Sequence, residues 1–252
     1  MLAIGGIVTG LLALGLPYVS AYGERARYVD DGTAAGFLLV LLCFSSWFPA
    51  QVGRDELTAA AGAAAFGFFL FFVIAFAFAH LGYLGSGAWL GLCAALIPIG
   101  ALLVPSERRA LREPRRPSAG MGAAATLVGV ALLVAGIWLD ADAGESYWTL
   151  SASGHAVGIL MLLLAALNLV LLAVPVRAVP ALDLIVAATT FGFVEAGLVS
   201  TAFVDLGSLG AGGWLEACAG VLLLAGVWRV RTTRPPTQSD SGAPGQRSYA
   251  RR

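Results

Sequence analysis

Eight apolar runs divide this chain of 252 residues, at about 2–22, 34–52, 58–81, 84–104, 121–139, 154–174, 181–204 and 213–230. Each is of the order of 18–25 residues, the length of helix that crosses roughly 30 Å of hydrocarbon. Backbone polar groups find no water in that medium, and a helix satisfies its own. Only 12% of the residues are charged and 59% are hydrophobic. A soluble chain carries about 25% charge. The expected fold is therefore all-α, a polytopic membrane protein of eight transmembrane helices. The connections at 82–83 and 205–212 make tight hairpins. Gly53, Arg54, Asp55 and Glu56 are too polar to lie within lipid.

Orientation is written in arginine. The chain has no lysine, and with both termini cytoplasmic thirteen of its fifteen arginines fall inside: Arg54, the cluster at 108–116, Arg177 and the tail from Arg229. Only Arg25 and Arg27 fall outside. The outer loops then hold Asp30, Asp31, Asp140, Asp142, Glu145 and Asp205. This is the positive-inside pattern and places the protein in the cell membrane. Val19-Ser20-Ala21 resembles a leader cleavage site, but no basic segment precedes it. The first run is read as a retained span.

The second half repeats the first. Shifting residues 66–94 by 125 positions gives 14 identities in 29 without a gap. Phe66-Gly67-Phe68 recurs as Phe191-Gly192-Phe193, and Trp89-Leu90 as Trp214-Leu215. Further upstream, Gly15 pairs with Gly136, and Gly32 and Gly36 with Gly154 and Gly158. The latter are GxxxG steps that clear a helix face for close approach. The expected organisation is a four-helix repeat over 1–104, a basic cytoplasmic linker over 105–120, a second four-helix repeat over 121–230 and a disordered cytoplasmic tail over 231–252. An even number of spans per half makes this a parallel repeat.

Duplication lets each half serve as a control for the other. Glu195 lies about 13 Å inside its span at 1.5 Å per residue, where the first half has Leu70. A carboxylate at that depth is costly unless it meets protein, water or a partner. Either it handles a proton, solute or cation, or it is a structural acid hydrogen-bonded internally. Glu216 stands one turn inside the last span, opposite Gly91 of the first half. It either joins Glu195 or reaches head-group water. Asn168, Ser200 and Thr201 are the other candidates for a polar path. The two hydroxyls could equally bond carbonyls one turn back.

His80, His155 and Asp205 fall at the outer rim and form a candidate vestibule. Two rim histidines cannot make a transmembrane haem pair, and no metal or other cofactor is expected. Cys43, Cys93 and Cys218 lie in spans without zinc spacing and read as small apolar residues at helix contacts. Phe66, Phe68, Phe69, Phe71, Phe72, Phe76 and Phe78 read as a lipid-facing aromatic helix or a pore constriction. Pro98, with Leu223 at its counterpart, could kink its helix. The absence of lysine excludes a retinal Schiff base. No HExxH, GxSxG or P-loop is present, so no enzyme is expected.

Gly87-Ala88-Trp89-Leu90-Gly91 and Gly212-Gly213-Trp214-Leu215 resemble the Gly-Gly-Tyr/Trp-Leu-Gly element of the acetate-uptake (succinate–acetate) transporter family. Ala65-Phe66-Gly67-Phe68-Phe69 is similar to that family's Ser-Tyr-Gly-x-Phe-Trp segment. The likeness covers about 60 residues in each half. That family has six spans and an Asn-Pro-Ala-Pro-Leu-Gly motif absent here, and Glu195 stands about where it has Trp. The resemblance implies a small-solute channel or permease, often oligomeric. The sequence therefore points to passage of a weak acid, a small neutral species or a proton-coupled ion. The alternative is a membrane scaffold, sensor or accessory subunit. The expected partners are the bilayer, a small solute and another copy or membrane protein, not nucleic acid.

Overall fold

The computed structural model describes residues 2–21, 24–27, 55–80, 84–100, 120–140, 145–149, 152–174, 181–202 and 209–232. Seven helices lie among them: α1 (Leu2–Gly15), α2 (Asp55–His80), α3 (Ser86–Gly100), α4 (Met121–Trp138), α5 (Ala152–Ala173), α6 (Leu182–Ala202) and α7 (Ala211–Thr232). Five of them, α2 and α4 to α7, are long and apolar enough to cross a membrane. They carry apolar residues nearly all round, the signature of a helix surrounded by protein and lipid together. On α4 only the stripe Gly122, Thr126, Gly129, Leu133, Gly136 and Ile137 is buried. Val128 and Trp138 point away from the protein, as do Leu163 on α5 and Val221 on α7.

The other expected spans fare differently. α3 covers most of 84–104 in 15 residues, and it continues through position 98 to Gly100. The span at 34–52, Cys43, the linker at 105–119 and the tail from 233 lie outside the described residues. The first span, expected over 2–22, stops at Gly15. Pro17–Ala21 and Glu24–Arg27 pair instead as an antiparallel hairpin, β1 and β2. Gly15 followed by Pro17 is a helix-stop signal. Proline supplies no N–H for another turn and biases the residue before it toward extended backbone.

Two helix pairs organise the packing. α4 and α7 run antiparallel and meet through glycine: a Cβ on Gly122 would lie 2.9 Å from the Gly226 carbonyl oxygen, and one on Gly226 would lie 2.8 Å from the Gly122 oxygen. α2 and α6 meet at a tighter crossing. A Cβ on Gly67 would overlap the Thr189 carbonyl, and one on Gly192 would overlap the Ala64 carbonyl. Ala64 and Thr189 are themselves 125 positions apart, so the two contacts are reciprocal.

Other positions 125 apart also share surroundings. Trp89 and Trp214 are each about half exposed, whereas Phe68 and Phe193 are fully buried. Cys93 and Cys218 are both exposed, turned out of the bundle and not into a tight contact. Gly87 packs on the Ala13 and Leu16 carbonyls, and Gly212 on those of Gly136, Leu139 and Asp140. That matches Ala13, not Gly15, with Gly136. The Leu16 N–H donates to the Ala13 oxygen just as that of Leu139 donates to the Gly136 oxygen.

The core is shared between the halves. Leu133, Ile137, Met161, Phe193 and Leu223 form a cluster from α4 to α7, against which Leu70, Phe71 and Ile74 of α2 pack. The Phe71 and Phe193 rings meet edge to face at 5.4 Å between centroids. Phe68, Phe69 and Phe72 are buried, so the aromatic face of α2 is interior packing and not a lipid-facing stripe. The side chains of Phe76 and Phe78 lie outside the described residues.

Candidate functional site

Two carboxylates lie along neighbouring turns of α7. Glu195 projects from α6 and is half-buried, with its Oε1 3.7 Å from where a Cβ on Gly220 would sit. It stands seven residues from the end of α6 at Ala202, about 10 Å at 1.5 Å per residue. Glu216 is four residues before Gly220 on α7, one turn or about 6 Å along the axis. Residues so spaced share a helix face.

Glu216 is the more enclosed of the two, only 3% exposed. It does not extend to head-group water as an interfacial glutamate can. Its Cγ lies against Gly136, 2.6 Å from the position of a Cβ there, so glycine on α4 is what makes room for it. The Tyr147 hydroxyl donates to Glu216 Oε2 at 2.9 Å. Oε1 is buried without a hydrogen-bond partner. Most buried polar atoms are paired, so an orphan acceptor calls for an explanation.

Tyr147 comes from the turn at 145–149, which straps this end of the second half. The turn is closed by Ser146 N–H donating to Thr149 Oγ1 and that hydroxyl donating back to the Ser146 oxygen, both at 2.9 Å. His155 Nε2–H donates to the Trp148 carbonyl oxygen at 2.9 Å, and its ring stacks on Trp148. Trp148 in turn packs on Trp138 with centroids 5.2 Å apart. The strap is thus fastened to α4, α5 and α7 at once. The expected vestibule of His80, His155 and Asp205 is not assembled among the described residues: His155 is committed to Trp148, and the side chain of His80 and all of Asp205 lie outside them.

Asn168 is buried in a separate polar contact. Its Nδ2 donates to the Leu164 carbonyl oxygen and to Thr190 Oγ1, both at 2.9 Å, and Thr190 donates to the Val186 oxygen at 2.8 Å. This chain of bonds fastens α5 to α6. The side chains of Ser200 and Thr201 lie outside the described residues. No group of three or more His, Cys, Asp or Glu able to hold a metal occurs among the described residues.

A cavity of about 530 Å³ lies elsewhere, between α2, α6 and α7. Ala60, Ala64, Ala188, Phe191, Leu224 and Trp228 are among its walls, and none of the acids reaches it. Tyr147 and Gly220 were not singled out by sequence reasoning, and Gly136 only as a repeat counterpart. The seven-residue spacing of Gly122, Gly129 and Gly136 is the signal that could have found the α4 face. Compared with known proteins, the chain matches no family model, no curated protein and no solved structure.

Proposed function

We propose that this multi-pass membrane protein passes a small solute across the cell membrane through its second half. In this reading it is built from two parallel four-span halves with cytoplasmic termini. The reciprocal seating of Gly67 on Thr189 and Gly192 on Ala64 supports the duplication. One observation carries the function. Only the second half sets a carboxylate on α7, Glu216, and a second from α6, Glu195, beside the next turn of α7, where the first half has Gly91 and Leu70. A shared fold that manages without them does not need them, and acids inside a bilayer protein are costly to keep. Glu195, half-buried, is the coupling group, and Glu216 is the more enclosed station beside it. The solute is a weak acid, an ammonia-like neutral molecule or a proton-coupled ion, in line with the resemblance to the acetate-uptake family, and the protein is not an enzyme.

Liposomes holding the full chain test this. Influx of acetate, methylammonium and protons is followed with an entrapped pH dye. Glu195→Gln is expected to cut the flux of the carried species at least about tenfold, the loss of one charged hydrogen bond. Unchanged fluxes across the panel remove the coupling role.

The apolar cavity favours a second reading, a scaffold or accessory subunit that seats an apolar helix of another membrane protein. Filling it by Ala188→Leu should then break up the assembly on a native gel and leave any flux intact.

A further inference from the structure

We infer that Glu216 Oε1 is the point at which the passing solute docks, and that this solute is a small hydrogen-bond donor, cationic or neutral, and not an anion. The inference rests on the transport reading above. Glu216 is almost wholly buried, and Tyr147 occupies only one of its two oxygens. The other oxygen has no partner among the described residues, and Gly136, which faces it, has no side chain to offer one. In its ionised form the Glu216 carboxylate accepts and does not donate, so a group that completes Oε1 in that form brings an N–H or O–H.

Charge decides between the solute classes. The chain has no lysine, and Tyr147 is the one described hydrogen-bond partner of Glu216. An anion arriving there would meet a carboxylate and, among its described hydrogen-bond partners, no countercharge. A cation would meet the carboxylate, which attracts it. The second buried polar atom without a partner is the indole N–H of Trp148, next in sequence to Tyr147. Two unmet valences therefore belong to the strap and the residue it holds. The first half has glycine at the equivalent of Glu216, so the shared fold does not call for this group.

The test uses the full-length protein in lipid nanodiscs. Methylammonium and acetate are added in turn while carboxyl bands are followed by infrared difference spectroscopy. Methylammonium is expected to perturb a carboxyl band, and Glu216→Gln to abolish the change. Tyr147→Phe keeps the ring and removes the hydroxyl that orients the carboxylate, and should raise the half-saturating concentration on the order of tenfold. A change that persists in Glu216→Gln overturns the inference. So does a change elicited by acetate alone, or none from methylammonium because a fixed water fills Oε1. Flux abolished by Glu195→Gln beside an infrared change surviving in Glu216→Gln overturns the docking point and leaves transport standing. The converse, a Glu216-dependent change without flux through the wild type, supports the docking point and removes the transport reading.

Discussion

Replacing Gly67 with alanine tests whether the two halves meet backbone to backbone. The new methyl would overlap the Thr189 carbonyl and lie 2.8 Å from the Phe193 nitrogen. Both obstacles are main-chain atoms in the middle of α6. No rotamer change relieves them, and the helices must part. Overpacking of this kind costs up to about 3 kcal/mol. Alanine recovers about 1 kcal/mol through its better helix propensity, leaving a net loss of roughly 2 kcal/mol. For a chain of this size, about 2–4 °C of melting temperature corresponds to each kcal/mol, so a fall of roughly 4–8 °C is expected in detergent micelles. Gly192→Ala should behave alike. The double variant should lose less than the sum, by about 0.5 kcal/mol or more, because one separation of the helices relieves both clashes. Gly100→Ala, with nothing among the described residues within 4 Å of the added methyl, is the control and should not fall. A Gly67→Ala protein that melts with the wild type, or losses that simply add, would refute the reciprocal contact.

Three further outcomes follow from the site. Tyr147→Phe leaves both oxygens of Glu216 without a partner and should cost about 1–3 kcal/mol in the same melt. Gly136→Ala should cost about 1–3 kcal/mol by pressing on the Glu216 Cγ, and Glu216→Ala in that background should recover part of the loss. Asn168→Ala and Thr190→Ala should each destabilise, with a coupling near 0.6 kcal/mol and at most about 1.7 in a double-mutant cycle, the range of hydrogen bonds between membrane helices.

The long apolar helices were legible because length and composition alone set them: α2, α4, α5, α6 and α7 each lie within a few residues of an expected span. The end of α1 was legible too, at Gly15 and Pro17, but the apolar residues through Ala21 obscured it. What sequence could not supply was pairing at a distance. Glu216 stands close enough to a helix end to read as an interfacial acid. Its burial depends on Tyr147, 69 positions earlier, and on a glycine in a third helix. Asn168 stood out as polar, yet nothing local says that it bonds to Thr190. The same limit applied to the α2 phenylalanines. A helix apolar on every side does not declare which side faces its neighbours.

The crossing of α2 and α6 restricts how such a molecule can move. With main chain seated on main chain at two symmetric notches, there are no intervening side chains to reorient as the angle changes. Swinging one half away from the other would break both notches together and open a dry gap. Motion that costs little must therefore arise inside a half, and the strap at 145–149, fastened by a handful of polar and ring contacts, is the softer place for it.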